Sequence, residues 1–443
     1  MSHSERRVNK GQLILEAVLL GLILAGVAHV IWFFINRHYL PQPFVWDPQD
    51  TFMDFFNVAY WAHREDMYTV WRAVYPPLSF VLAGAVSSPS CYDYRGAYVM
   101  SWYVGRDCDL LGLAFVTLSY LGTLLVSYRA LRTVRPDVAV LRTLALALGL
   151  PGLFVFERGN LLILCQLCLA VVVVPELGQR WSKGLLAGVM INLKPYMVLP
   201  TLSWAMRGDW RQLEIAGVAT IGIYLVSWAM IGSGSPVELI ENVANWVDFT
   251  GTDIISQMYY TTSFNNMFGV IDRGFPILQY INSNVYEAFR SSVEVTILAA
   301  QASAIAAIAL GVLSPRGFPQ ARFALLLLLV SLVGQSPGGY TEFLVVFLVF
   351  LEPWDRWPGR LAIVLAYLIS IPYEYLISEL PPVFTGSWLS GQAVIATFGI
   401  GVSQFLRPLA LLVILLTLSW DTIVILTLKM RSRSQHLAEP VPA

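Results

Sequence analysis

The stretch DPQDTFMDFFNVAYW, residues 47–61, sets Asp47, Asp50 and Asp54 beside Asn57 and Trp61. Asp47-Pro48 reads as a helix start, because Asp serves as an N-cap and Pro is favoured at the first helical position. Asp50 then falls in the first turn, where a carboxylate suits the positive end of the helix dipole. Asp54 lies too far along to cap that helix. At about 100° per residue, Phe52, Phe55, Phe56, Ala59 and Tyr60 share one face, and Asp50, Asp54, Asn57 and Trp61 share the other. A carboxylate beside an amide and an aromatic ring suits a sugar site in which the acid acts as general base. The alternative is a solvated polar face on an amphipathic helix lying at a membrane interface.

Two cations sit within apolar surroundings: Arg158, in the sequence ERGN with Asn160, and Lys194, in Lys194-Pro195. Ionisable groups at membrane depth are costly and usually functional, and a lipid-linked phosphate needs a cation at headgroup level. Snorkelling to the interface and pairing with Glu157 are the competing readings. In Tyr75-Pro76-Pro77-Leu78 the paired prolines cannot continue a helix and hold the chain extended. Glu342 follows the Gly338-Gly339 break at a helix start, where it either complements the dipole or orients a sugar hydroxyl. Cys165 and Cys168 lie inside an apolar run and read as small hydrophobes. Cys91 and Cys108 share one side of the membrane, where a disulfide is possible in an oxidising compartment. Asp107-Cys108-Asp109 is the runner-up for a metal site, and the five histidines show no ligand spacing. No metal or cofactor is expected.

The elements that must position these residues are membrane helices. Hydrophobic residues make up 56% of the 443, charged ones only 13%, and the mean hydropathy is +0.63, beyond what soluble domains show. A span needs about 20 apolar residues, and basic loops stay inside. Residues 13–35 read as a retained anchor preceded by Arg6, Arg7 and Lys10, with an inside N-terminus. Residues 36–109 form a first outer segment, and 110–128 return to a basic inner loop with Arg129, Arg132, Arg135 and Arg142. Runs 141–156 and 161–178 make a hairpin tipped by 157–160. Residues 184–206, bracketed by Lys183, Arg207 and Arg211, read as two half-helices that enter and leave on the same side, with Lys194 near the turn. Residues 212–232, 291–313, 321–335, 343–352, 360–377 and 405–428 supply the remaining runs, with a second outer segment over 233–290. The expectation is an all-α polytopic membrane protein: one domain over 1–429 with about 10–12 transmembrane or re-entrant helices, an amphipathic helix in the first outer loop, and an inner tail at 430–443.

The order of a first helix, an outer D-F-x-x-x-A helix, Tyr-Pro-Pro-Leu, a Gly-Asn tip, a Lys-Pro broken helix and a late Ser-Pro resembles the GT-C superfamily. More narrowly, it resembles glycosyltransferase family 87, the polyprenyl-phosphate-sugar-dependent mannosyltransferases and their relatives. The likeness runs over most of residues 13–352. It implies a GT-C-like bundle with Asp54 as general base, Tyr75-Pro76-Pro77 as the aromatic-proline element, and Lys194-Pro195 as the Lys-Pro element. Ser263-Phe264, with Asn265 and Asn266 nearby, matches the serine of the second outer loop, and Ser336-Pro337 the late Ser-Pro element. The chain departs at Arg158-Gly159-Asn160, where a cation replaces an amide, and at Gly338-Gly339-Tyr340-Thr341-Glu342, where relatives often carry a His.

The function so implied is transfer of a hexose, mannose favoured, from a polyprenyl-phosphate sugar to a lipid-linked or cell-envelope glycan on the outer or periplasmic face of the cell membrane, with inversion. Asp54 is the candidate catalytic residue. Arg158, Asn160, Lys194, Tyr75, Asn57, Trp61, Ser263, Asn265, Tyr340 and Glu342 are the candidate substrate and phosphate contacts. Partners are the lipid-linked donor, the acceptor and membrane lipids; nucleic acid is not among them. A flippase or transporter of lipid-linked sugars, or an O-antigen-type polymerase or ligase, is the alternative. Against a transporter stands the lack of a matching interrupted segment in the second half.

Overall fold

The computed structural model describes residues 10–44, 48–64, 66–92, 101–250, 263–272, 282–314, 318–334, 338–379 and 381–438. In chain order the helices are α1 (Lys10–Arg37), α2 (Met53–Ala62), α3 (Pro77–Ala85), α4 (Ser101–Cys108), α5 (Leu110–Val134), α6 (Ala139–Leu148), α7 (Leu150–Glu157), α8 (Leu162–Val173) and α9 (Arg180–Leu193). They continue as α10 (Val198–Thr201), α11 (Trp210–Ile231), α12 (Pro236–Thr250), α13 (Phe264–Asp272), α14 (Ser283–Leu313), α15 (Gln320–Leu332), α16 (Glu342–Phe350), α17 (Trp357–Ile369) and α18 (Ser403–Ala438). Among the described residues, five helices are long and apolar enough to cross a bilayer: α1, α5, α11, α14 and the 403–432 part of α18. The bent pair α6–α7 makes a sixth if it is one span. The protein is an all-α polytopic membrane protein.

Four short strands, which the sequence reading did not anticipate, lie between α17 and α18. β1 (Leu376–Glu379) pairs antiparallel with β4 (Gly399–Gly401), and β2 (Val383–Gly386) with β3 (Ala393–Ala396). They dock on the segment after α1: the Gln42 side chain donates to the Gly399 carbonyl (2.7 Å) and accepts from its amide (2.9 Å).

The breaks in the helices have local causes. α6 and α7 meet at 46°, where Pro151 lacks an N–H for the ladder and Leu150 N instead donates to Ser370 O at 2.7 Å. α9 stops at Lys194 because Pro195 forces its predecessor out of the helical region; Lys194 has φ −141° and ψ 108°. From there a 3-10 turn (Pro195–Met197), α10 and a second 3-10 stretch (Leu202–Arg207) bring the chain back. Arg180, at the start of α9, lies 3.5 Å from Asp209, just before α11. The chain therefore leaves and returns at one level, as the basic residues at both ends of 184–206 predict. α9 and α11 run parallel in close contact: a Cβ at Gly184 would collide with Ile215, and one at Gly188 would lie 2.9 Å from Ala219.

α16 is buried along its whole length and forms the centre of the bundle. Near it the core holds charges. Glu16 on α1 and Arg142 on α6 are fully buried and paired at 2.7 Å, and Gln12 (2.8 Å) and Tyr367 (3.0 Å) also donate to the Glu16 carboxylate. Arg142 thus is not the loop cation that its neighbourhood in sequence suggests; Arg129 and Arg132 themselves lie on α5, which runs on to Val134, and the Arg142 guanidinium also reaches the Phe350 carbonyl. A second network joins Arg322 to Glu352 (2.6 Å) and Asp421 (3.2 Å), and Arg356 to Asp421 (2.7 Å).

Removing one member of a buried pair leaves an uncompensated charge, at about 3–5 kcal/mol. Arg142→Met should therefore strongly lower the thermal midpoint of the detergent-solubilised protein. Glu16→Met added to Arg142→Met should restore most of the loss.

Candidate active site

α2 starts at Met53, later than Asp47-Pro48 suggests, because its first amides find acceptors outside the helix. Phe52 N donates to Glu157 O at 2.6 Å and Asp54 N to Arg158 O at 3.1 Å, so the helix start is hydrogen-bonded to the tip after α7. Phe52, the N-cap, has φ +63°, an uncommon state for a bulky residue. It is fixed by edge-on ring contacts to Phe156 (5.4 Å) and Trp388 (5.7 Å). At the tip Gly159 has φ +64°, and a Cβ there would stand 3.2 Å from Phe55 Cβ and 3.3 Å from Phe52 O. Glycine lets the tip lie against α2. Asp54 consequently sits in the first turn of the helix, and Asp50 lies before it; Asp47 is outside the described residues.

This docking brings Asp54 to Arg158 and Asn160. Asp54 Oδ1 accepts from Arg158 Nη2 (2.7 Å) and Nε (3.3 Å), and Oδ2 accepts from Asn160 Nδ2 (2.6 Å). Asn160 Oδ1 accepts from Leu162 N (3.0 Å) at the start of α8, which turns the amide N–H₂ toward the carboxylate. Arg158 Nη1 also pairs with the Asp50 carboxylate. One guanidinium is thus shared between two carboxylates.

Lys194 reaches the same place from the turn after α9. Its Nζ lies 4.3 Å from the centre of the Tyr75 ring and 5.8 Å from that of Tyr340, a cation–π arrangement. Among the described residues no ion pair or hydrogen bond engages this ammonium. Tyr75 and Tyr340 are half-buried. Burial, reinforced by the Asp54 charge, pushes the Tyr75 hydroxyl well above its ordinary range, so it stays a neutral donor. Tyr340 feels the charges of Lys194, Asp54 and Arg158. Five sequence candidates thus converge, with Asn160 behind Asp54.

Asn57 and Trp61 follow Asp54 on the same side of α2, both half-buried; the Trp61 indole N–H is buried without a partner among the described residues. Glu342 is fully buried in the first turn of α16. Ser263 is buried, its hydroxyl 3.5 Å from Val333 O. Asn265 belongs to α13, but its side chain, like Ser336 and Pro337, is outside the described residues.

Sequence reasoning missed the outer support of this site. Arg106, almost fully buried on α4, donates to Thr51 O (2.9 Å) and to Gln49 O, holding the backbone on both sides of Asp50. Its guanidinium stacks 4.5 Å from the Trp388 ring. Trp388, in the β2–β3 turn, donates from its backbone to Pro48 O (3.1 Å) and from its indole to Asp107 (2.7 Å). Cys91 and Cys108 form a disulfide with a Cα separation of 5.6 Å, while Cys165 and Cys168 are free and buried. Asp107 and Asp109 serve different partners: Asp109 caps α5 through Gly112 N (3.0 Å) and accepts from Tyr92 (2.7 Å).

The helices and the converging side chains define a multi-pass membrane protein with an acid–cation cluster. The family model for glycosyltransferase family 87 matches residues 74–337, more than half of the chain. The chain belongs to glycosyltransferase family 87 and is a membrane glycosyltransferase. The match takes in Tyr75, Arg158, Asn160 and Lys194 and begins after Asp54. Comparison with curated proteins and with solved structures gives no match.

Gly159→Ala forces a Cβ into left-handed backbone, at about 1–2 kcal/mol. It should lower both the thermal midpoint and glycosyl transfer. Gly122→Ala, in α5 where a Cβ meets open space, should leave transfer intact and hold or raise the midpoint.

Proposed function

We propose that this enzyme moves a hexose, mannose favoured, from a polyprenyl-phosphate sugar to a lipid-linked or cell-envelope glycan on the outer face of the cell membrane, with inversion and with Asp54 as general base. The observation that carries the reading is a carboxylate held by Arg158 and Asn160 next to a Lys194 ammonium that no acidic side chain neutralises among the described residues.

The chemistry follows from what each group has left to offer. A carboxylate oxygen has two lone-pair directions, and Asp54 Oδ2 uses one for Asn160. The second is open to an acceptor hydroxyl. Asp54 takes that proton as the hydroxyl oxygen attacks the anomeric carbon. The bond from that carbon to the phosphate oxygen breaks, and its electron pair leaves with the lipid phosphate. A phosphate leaving group needs no added proton, so one base suffices. Lys194, held against ring faces and without an ion pair among the described residues, is the cation for the phosphate charge. Arg158, already shared by Asp50 and Asp54, orients the base. Asn57 and Trp61, following Asp54 along α2, are assigned to sugar hydroxyls, together with Tyr340 and Glu342, and Ser263 and Asn265 to the acceptor side.

Asp54→Asn should cut transfer from a polyprenyl-phosphate hexose by at least about 100-fold, with unchanged protein levels in the membrane. Wild-type turnover by that variant would end the base assignment. Lys194→Met should weaken donor binding more than acceptor binding, read as separate KM values.

A further inference from the structure

Tyr196 is unused by the scheme above. It lies two residues past Lys194 in the 3-10 turn Pro195–Met197, which is closed by a hydrogen bond from Met197 N to Lys194 O at 2.9 Å. The turn exists because Pro195 ends α9, and it places Tyr196 in the neighbourhood of Tyr340 and Tyr75, the two rings that flank the Lys194 ammonium at 5.8 and 4.3 Å. The Tyr196 hydroxyl is buried and has no hydrogen-bond partner among the described residues. A buried hydroxyl left unpaired costs about 1–3 kcal/mol, and native proteins rarely leave one without a partner, ordered water or a ligand. The neighbouring Cys165 thiol donates to Met190 O at 3.7 Å.

We propose that the Tyr196 hydroxyl donates a hydrogen bond to the phosphate of the lipid carrier, completing with Lys194 a two-donor seat for that anion. The assignment rests on the lipid-phosphate donor reading and deepens it. An ammonium offers three donors and no acceptor, so a ligand seated between it and a phenol O–H is best made of acceptors only. A dianionic or monoanionic phosphate meets that condition; a sugar hydroxyl brings a proton that needs its own acceptor. The phenol completes its hydrogen bonding only when the carrier is bound, so its stabilising effect belongs to the complex and not to the free protein.

The test compares purified wild type with Tyr196→Phe, using two probes: polyprenyl phosphate without sugar and the polyprenyl-phosphate hexose. Loss of a hydrogen bond to a charged group predicts affinity for both probes lower by about tenfold, with an unchanged or higher thermal midpoint for the ligand-free variant. A lower midpoint in the ligand-free state with unchanged affinity would show a structural hydroxyl, bound to water or protein, and overturn the proposal. Weaker binding of the sugar-bearing probe alone would assign the contact to the sugar and overturn it as well. If wild type binds both probes and the variant matches it, only the Tyr196 contact falls; if wild type binds neither, the donor reading falls with it.

Discussion

The Arg158 guanidinium, held between Asp50 and Asp54, is the contact around which the site is arranged. Two carboxylates share one guanidinium at this point, and the Lys194 ammonium nearby is held between ring faces. In a medium of low dielectric such a grouping is stable only when each polar atom has a fixed partner. The backbone bonds from Phe52 and Asp54 to the 157–158 carbonyls supply that fixity, and so does Asn160, whose amide faces two ways. The geometry of the acid therefore depends on two segments about a hundred residues apart in sequence meeting in one register.

Proline and glycine decide where the candidate groups stand. Pro195 throws Lys194 out of α9, Pro76-Pro77 start α3 directly after Tyr75, and Gly159 permits contact with α2. Asp54, Arg158, Asn160, Tyr75, Lys194 and Tyr340 each sit at the end of a helix or in the turn beside it, where backbone direction changes and side chains from different helices can converge. The long spans contribute little chemistry. They hold these ends in place, with α16 packed on all sides in the middle.

Much of this was readable from hydropathy and charge. The long apolar runs became α1, α5, α11, α14 and α18, and basic residues at both ends of 184–206 gave the same-side return. Asp54, Arg158, Asn160, Lys194, Tyr75 and Tyr340, which the structure brings together, stand out in the sequence because an ionisable or aromatic residue beside Pro or Gly in an apolar chain is conspicuous. What escaped was tertiary. The start of α2 was misplaced because a capping rule weighs Asp47 and Pro48 locally, whereas the actual acceptors are the Glu157 and Arg158 carbonyls. Arg142 looked like a loop cation because its partner Glu16 is 126 residues away. The strands over 376–401 are three or four residues long, too short for an alternating pattern to stand out. Nothing local to Trp388 announces Arg106.

The parallel contact between α9 and α11 has a further bearing on the enzyme. With glycines at 184 and 188 pressed against Ile215 and Ala219, neither helix can slide along the other without collision. The fourteen residues of α9, at 1.5 Å each, act as a gauge of about 21 Å between the level of Arg180 and the ammonium of Lys194. One residue more or fewer would displace that charge along the helix axis and swing it by about 100° around it, away from both rings. The length of α9 accordingly governs where that charge stands more than the identity of the apolar residues that compose the helix does.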